Sequence, residues 1–193
     1  MSRNSIPIVE HLLTPQNSLL VIVDMQIRLT EVMPVTDASL MLTHTDRLIK
    51  AAMALEVPVL VTEQNPKGLG STVADITDSL PQETPIFPKT GFSCCAAEGF
   101  CEILEQIQRN QIILVGQETH VCILQSALDL LSRSYQIHIV EDGVCSRKAE
   151  HKSNALARMQ RLGITITNHE SVLFEWLGDY NHPDFKTIAK LLR

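Results

Sequence analysis

Three residues of the chain have the side-chain chemistry of a nucleophilic active site, and each of them follows an apolar run. Asp24 follows residues 18–23, Lys89 follows a short run that begins at Ile86, and Cys122 follows residues 112–116. A thiol can attack a carbonyl carbon, a carboxylate can accept its proton, and an ammonium can balance the charge that develops. The three residues are far apart in the sequence, so only the fold can bring them together.

The segment around Cys122 gives the most direct information. Residues 112–116 are typical of a buried parallel strand, and an amphipathic helix is predicted to begin close to the thiol, at residue 121. The sulfur is therefore expected at the carboxyl end of a strand and at the amino end of a helix, where open α/β sheets hold their active sites. Unpaired N–H groups and the helix dipole at such a position favour thiolate over thiol. We predict that Cys122 is the nucleophile.

The rest of the chain alternates strands and helices. Aliphatic and β-branched runs predict strands at residues 18–23, 57–62, 86–87, 111–116, 136–140 and 164–167. Apolar residues at helical spacing predict helices at residues 37–55, 98–109, 121–132, 149–162, 170–177 and 185–192, and the Pro- and Gly-containing segment 65–70 is predicted as a loop. This alternation predicts one α/β domain over residues 1–193 with a mainly parallel, Rossmann-like sheet, whose strands all end at one edge.

Each of the three residues also has an ordinary structural interpretation. An Asp after a strand is commonly a turn residue or a helix N-cap. A Lys is commonly a solvated surface group, and a Cys that enters a helix is commonly a small buried hydrophobe. The hypothesis of an active site therefore depends on the three residues together.

The composition restricts the class of protein. The 193 residues, of which 45% are apolar and 20% are charged, suit a globular domain with a substantial core. The net charge is −6 and no long basic run is present, so we expect no nucleic-acid partner. No apolar stretch approaches the length of a membrane span, and residues 1–10 lack the apolar centre of a signal peptide. Five cysteines without the spacing of a disulfide framework indicate a reducing, cytoplasmic location.

Three motifs resemble those of the isochorismatase-like cysteine hydrolases. Residues 21–26 read Val-Ile-Val-Asp-Met-Gln and resemble the h-h-D-x-Q motif of that superfamily. Residues 89–93, Lys-Thr-Gly-Phe-Ser, resemble its K-x-x-F-S segment, and residues 116–122, Gly-Gln-Glu-Thr-His-Val-Cys, resemble its G-x-x-T-x-x-C segment. Residues 62–70 are similar to a loop of the isochorismatase domain-containing subgroup. The order and approximate spacing agree over about residues 13–170.

The resemblance implies a fold, a site and an activity. The implied fold is a three-layer α/β/α sandwich around a six-stranded parallel sheet. The implied catalytic triad is Asp24, Lys89 and Cys122, and a cis peptide between Gln117 and Glu118 would help the N–H groups of Glu118 and Cys122 to form an oxyanion hole. The implied reaction is hydrolysis of an amide-type C–N bond of a small molecule through a Cys thioester, without a cofactor. A homo-oligomer is also implied.

The sequence identifies the residues that line the substrate pocket less clearly than it identifies the three candidate catalytic residues. The candidates are Gln26, Gln64, Phe92 and Thr119, and for each of them packing or a hydrogen bond to a loop is an alternative. Glu118 is unexpected so close to the nucleophile. Its side chain either points to solvent or adds negative charge to the site.

Metal binding, isochorismatase activity and two other functions are alternatives to a cysteine hydrolase without a metal. The nicotinamidase branch of the superfamily has a metal-binding D-x-H motif after its second strand, where this chain reads Thr62-Glu63-Gln64-Asn65, and the seven histidines show no ligand spacing. We therefore predict that the site holds no metal. True isochorismatases lack the nucleophilic thiol, so Cys122 argues against that activity. A binding or scaffolding protein with the same fold and little hydrolysis, and a redox thiol enzyme, stay open.

Overall fold

The fold is described by a computed structural model that covers residues 12–192. The segment 1–10, in which no signal peptide is predicted, lies outside the described residues. Within residues 12–192 there is one six-stranded sheet. Its strands are β1 (Ser18–Val23), β2 (Val59–Gln64), β3 (Ile86–Lys89), β4 (Gln111–Gln117), β5 (Gln136–Cys145) and β6 (Thr165–Thr167).

The strand order creates a crevice in the middle of the sheet. The order is β3-β2-β1-β4-β5-β6, and every neighbouring pair is parallel. The chain builds the sheet outward from β1 to β3 in one direction and then from β4 to β6 in the other. Such a reversal between β1 and β4 leaves a crevice at their carboxyl ends, which is where ligands bind in open α/β sheets.

Helices cover both faces of the sheet. They are α1 (Ile27–Thr30), α2 (Val35–Ala54), α3 (Pro66–Leu69), α4 (Ala74–Thr77), α5 (Phe100–Ile107), α6 (Leu124–Ser132), α7 (Ala149–Arg161), α8 (His169–Leu177) and α9 (Phe185–Lys190). One core lies under α2, α8 and α9, and the other lies under α5, α6 and α7. Alternate residues of β1 enter the two cores, which explains why this strand is apolar throughout. The predicted three-layer α/β/α fold is confirmed.

Two features of the elements differ from the prediction. The segment 65–70 was predicted as a loop, but residues Pro66–Leu69 form the short helix α3. Pro66 occupies its first turn, and the preceding residue, Asn65, has a left-handed backbone conformation (φ 38°). Strand β5 continues five residues past the predicted end at 140. A register shift between Leu114 and Gly116 of β4 accommodates the Glu-Asp-Gly sequence that resembled a turn.

Gly116 allows β1 and β4 to approach each other closely at the crevice. It has φ 125°, and a Cβ atom added there would lie 2.0 Å from the carbonyl oxygen of Val23. Only glycine fits such a position.

None of the helices in residues 12–192 combines the length and the apolar character needed to cross a lipid bilayer.

Candidate active site

The fold brings Asp24, Lys89 and Cys122 to one edge of the sheet. Asp24 directly follows β1 and has a left-handed backbone (φ 53°), which Asp tolerates better than most residues. Lys89 is the last residue of β3. Cys122 lies in a π-helical turn, Thr119–Ile123, between β4 and α6. All three are buried, with exposed fractions of 0%, 4% and 5% in the same order.

A buried ion pair joins Lys89 to Asp24. The distance between Lys89 Nζ and Asp24 Oδ2 is 2.7 Å, and both side chains are 0% exposed. Lys89 Nζ also donates to Gln64 Oε1 at 2.8 Å and to the Phe92 carbonyl oxygen at 3.0 Å. The hydroxyl of Thr62 donates to the other carboxylate oxygen, Asp24 Oδ1, at 2.7 Å. Charge-assisted hydrogen bonds of this kind are needed to hold two charges away from water.

The Cys122 thiol interacts with both members of this ion pair, and its pKa is raised rather than lowered. Burial raises the pKa of Cys122 to about 12, the negative charge of Asp24 adds to the increase, and Lys89 opposes it. The prediction that this position favours thiolate over thiol is therefore wrong for this structure. Desolvation penalises the charged form more than Lys89 stabilises it. At neutral pH the sulfur keeps its proton, and Asp24 is a carboxylate with which the thiol interacts.

Glu118 lies close to Cys122 in the sequence, and its side chain has a position that neither interpretation of the sequence anticipated. The peptide bond between Gln117 and Glu118 is cis, as the resemblance implied. The Glu118 side chain neither points to solvent nor faces the thiol as a free charge. It is buried, and its Oε2 accepts hydrogen bonds from Arg147 N and Arg147 Nε at 3.0 and 3.1 Å. Burial raises the pKa of Glu118, but the hydrogen bonds and the charge of Arg147 outweigh that effect and lower it.

The polar side-chain atoms of Gln26 and Thr119 form hydrogen bonds within the protein. Gln26 Nε2 donates to the carbonyl oxygens of Gln64 and Gly70 at 3.0 and 2.6 Å, and its Oε1 accepts from the Gln64 N–H at 2.6 Å. The Thr119 hydroxyl donates to the carbonyl oxygen of Cys145 at 2.9 Å. These contacts give both side chains a structural role, because they bind the backbone at the ends of β2 and β5 and at Gly70.

Gln64 and Phe92 lie next to Lys89. Gln64 Oε1 accepts from the Lys89 ammonium, and Gln64 Nε2 donates to the Thr90 carbonyl oxygen at 2.7 Å, so this residue holds the lysine in place. Phe92 contributes its carbonyl oxygen to Lys89, while its ring is 49% exposed. Of the four predicted pocket residues, Phe92 has the side chain most accessible to a ligand.

Similarity to known proteins identifies the family of the chain. The sequence model of the isochorismatase domain matches residues 18–171, a range that contains all three buried residues of the site. The chain belongs to the isochorismatase family.

Relatives within and beyond this family differ in length and identity. Isochorismatase domain-containing protein 1 of Salmo salar is 43% identical over 147 residues, which are 76% of this chain and 51% of that protein. The chain thus spans about half the length of this relative. The structure of MAR1 ribonuclease from Caenorhabditis elegans has a TM-score of 0.88 and 38% identity, and the match covers 94% of this chain and 92% of that one.

A more distant structure shows the fold alone. YcaC of Escherichia coli, described as an octameric hydrolase of unknown specificity, has a TM-score of 0.80 at 19% identity. That match covers 93% of this chain and 95% of that one.

One group of side chains in residues 12–192 of this family member lies close enough to hold a metal ion. It consists of His44, Asp142 and His169, whose ligand atoms all lie within 4.8 Å of one another. Sequence spacing gave no sign of it, because the three residues come from α2, β5 and α8. Arg47 Nη1 lies 3.2 Å from His169 Nε2, and because Arg can only donate, Nε2 accepts this hydrogen bond. The proton of neutral His169 is therefore on Nδ1, which lies 2.5 Å from Asp142 Oδ2.

The orientation of the two imidazole rings also favours hydrogen bonding over metal coordination. The rings of His44 and His169 are stacked at 3.8 Å with an interplanar angle of 9°. Their lone pairs therefore lie in two separate, nearly parallel planes and do not converge on one point. This group is best described as a hydrogen-bonded cluster that joins α2, β5 and α8.

Proposed function

We propose that the protein is a cysteine hydrolase that cleaves an amide-type C–N bond of a small molecule, with Cys122 as the nucleophile. The observation that carries the proposal is the Lys89–Asp24 ion pair, 2.7 Å long and fully buried, which interacts with a buried thiol. Burying two charges costs several kcal/mol per ion, so such a pair is a weak device for stability alone. Beside a thiol it supplies a proton acceptor and a balancing cation.

The first half of the reaction forms a thioester. Cys122 Sγ attacks the carbonyl carbon while the thiol proton passes to Asp24, and Lys89 balances the charge within the site. The N–H groups of Glu118 and Cys122 stabilise the oxyanion, and one such donor is typically worth about 3–4 kcal/mol. Asp24 then returns the proton to the departing amine as the C–N bond breaks, and the acyl group stays on the sulfur.

The second half of the reaction releases the acid. Water attacks the thioester carbonyl carbon while Asp24 accepts one of its protons. Collapse of the tetrahedral intermediate breaks the C–S bond, and the proton on Asp24 returns to the sulfur. The site is thereby restored without a cofactor.

A cavity beside Lys89 supports a small-molecule substrate. Its volume is about 390 Å³, and its lining includes Lys89, Thr90 and Asn65. Ligand pockets for small molecules typically have about 300–1,000 Å³. Neither Asp24 nor Cys122 is in the lining, and the Lys89 side chain is 0% exposed, so this cavity lies next to the ion pair and does not contain the reacting groups.

Two other activities are included in the test. The name of the C. elegans neighbour makes RNA a candidate substrate, but a net charge of −6 gives little electrostatic attraction for a polyanion. A binding protein with the same fold would need no proton acceptor beside the thiol. We also propose a homo-oligomer, which the description of E. coli YcaC supports, while the cytoplasmic location stays a prediction.

The proposal is tested by screening small amides, ureides and hydroxamates for amine release, with single-stranded RNA as a further substrate. Cys122→Ala should lower turnover at least about a thousandfold, as loss of a nucleophile typically does. Cys94→Ala removes another buried thiol and serves as the matched control. Undiminished amine release by Cys122→Ala, or cleavage of RNA alone, would overturn the proposal.

A further inference from the structure

Three consecutive residues before Cys122 are attached to three consecutive residues at the junction of β5 and α7. We call this set of contacts the clasp. It consists of Arg147 N and Nε donating to Glu118 Oε2 at 3.0 and 3.1 Å, Thr119 Oγ1 donating to the Cys145 carbonyl oxygen at 2.9 Å, and His120 Nδ1 lying 3.1 Å from Ser146 Oγ. The three residues between the end of β4 and Val121 are thus all held by the junction of β5 and α7.

The charged contact of the clasp fixes Glu118 in place. The Glu118 side chain is 8% exposed, whereas that of Arg147 is 59% exposed. Both hydrogen bonds from Arg147 go to the same carboxylate oxygen, one from the backbone and one from the side chain. A buried carboxylate that loses its partner is strongly unfavourable. Without the Arg147 guanidinium, the Glu118 side chain would be drawn toward water and would pull its backbone with it.

The backbone of Glu118 is coupled directly to the nucleophile. Its carbonyl oxygen accepts hydrogen bonds from the N–H groups of Val121 and Ile123, at 3.0 and 3.3 Å, on either side of Cys122. Glu118 is therefore held by its side chain through Arg147 and by its carbonyl through the π-helical turn. A shift of Glu118 moves its own N–H relative to the sulfur.

We propose that Arg147 is a positioning residue that, through Glu118, holds the Glu118 N–H where an oxyanion forms. The inference rests on the proposed function and extends it to Arg147, a residue outside the three resembling motifs. Oxyanion donors act only within a narrow range of distance, about 2.7–3.1 Å from the developing charge. A misplacement of about 1 Å can cost on the order of a hundredfold in rate.

Two covalent probes of Cys122 separate this role from a general effect on the thiol. p-Nitrophenyl acetate acylates the sulfur: Sγ attacks the carbonyl carbon, the thiol loses its proton, an oxyanion forms, and p-nitrophenolate leaves. Iodoacetamide alkylates the sulfur by displacement of iodide at a saturated carbon, and no oxyanion forms. The alkylation rate at Cys122 is measured by peptide mass spectrometry. The acylation rate is measured by the release of p-nitrophenolate, with Cys122→Ala as the background, because water can release the acetyl group from the sulfur afterwards.

Arg147→Ala should lower the acylation rate of Cys122 by about tenfold or more, within the range for a misplaced donor, and change the alkylation rate by less than about twofold. Arg147→Lys keeps a cation and the backbone hydrogen bond, so it should recover most of the acylation rate. Arg158→Ala, at an exposed position of α7, is the matched control and should change neither rate. Thermal unfolding of each variant shows that the fold is intact.

Three results would overturn this role for Arg147. They are an unchanged acylation rate in Arg147→Ala, a parallel loss of both rates, and an equal loss of acylation in Arg158→Ala. Should Arg147→Ala fail to fold, Glu118→Gln breaks the same charged contact and is expected to lower acylation selectively. Failure of the proposed function itself looks different, because wild-type Cys122 would then be alkylated but not acylated.

Discussion

Replacement of Lys89 by Met tests whether the Lys89–Asp24 ion pair is as deeply buried as the structure indicates. Met keeps the length and the apolar character of the Lys stem but removes every donor, including the 2.7 Å hydrogen bond to Asp24 Oδ2. Asp24 then keeps the Thr62 hydroxyl on Oδ1 but loses the ammonium that balances its charge. Removal of one partner of a buried ion pair typically costs about 3–5 kcal/mol. We expect Lys89→Met to lower the free energy of unfolding at pH 7 by that amount.

A second ion pair of the same length provides the matched control. Lys50 Nζ lies 2.7 Å from Asp46 Oδ2, one turn apart on α2, but these side chains are 49% and 26% exposed. Such a pair on a helix surface typically contributes about 0.3–0.5 kcal/mol. The loss of unfolding free energy, measured with urea, should therefore be severalfold larger for Lys89→Met than for Lys50→Met, although the two ion pairs have equal lengths. The denaturant m-value shows whether unfolding exposes the same surface.

The same comparison can refute the reasoning. If Lys89→Met costs no more than Lys50→Met, water must reach the Asp24 carboxylate, and the site is not the closed ion pair described above. The double variant Asp24→Asn with Lys89→Met provides a second check, because it removes both charges. It should be more stable than the sum of the single effects predicts, with a coupling of about 2 kcal/mol or more, within the range for contacting residues.

Three further predictions concern the thiol, the crevice and the clasp. Because burial raises the pKa of Cys122 to about 12, its alkylation rate with iodoacetamide should keep rising from pH 7 to pH 10, and a plateau in that range would contradict the shift. Gly116→Ala should lower the thermal midpoint far more than Gly163→Ala, where an added Cβ meets nothing within 4 Å; similar losses would contradict the close approach. The pKa of Glu118 is lowered from 4.5 by Arg147, against the effect of burial, so its contribution to stability is present above pH 4.5 and lost as the pH falls through the folded-state pKa. The deficit of Glu118→Gln in urea unfolding at pH 7 should then shrink in acid, and a constant deficit would contradict the ion pair.

The sequence predicts the sheet well because its central strands are buried on both faces. Continuous apolar runs mark β1 and β4, and parallel strands place their carboxyl ends at one edge, so Asp24 and Cys122 can be brought together without knowledge of the packing. The short helices α1, α3 and α4 have four residues each. Helices of that length have no periodicity to detect and form only because the surrounding structure holds them.

The contacts made by Arg147 and by the histidine cluster could not be predicted from the sequence. Arg147 stands beside another cation in the sequence and has the pattern of a solvated charge, yet it is the partner of Glu118, 29 residues away. His44 and His169 are 125 positions apart in the chain numbering (169 − 44) and stack only because α2 and α8 pack on the same face of the sheet. The first contact depends on the register of β4 with β5, and the second depends on which helices become neighbours. Neither is visible in the pattern of a single sequence.

The state of the Cys122 thiol shows why the sign of a pKa shift needs the fold. The features visible in the sequence, a helix start and a nearby Lys, both lower a thiol pKa. The largest effect that raises it, burial, is visible only in the structure, and together with the charge of Asp24 it outweighs the effect of Lys89. In the proposed reaction, a thiol that keeps its proton becomes nucleophilic only as Asp24 removes that proton, so we expect attack and proton transfer to occur together. Oxidation of a cysteine requires thiolate character and exposure, and Cys122 has neither, which favours the hydrolase over a redox thiol enzyme.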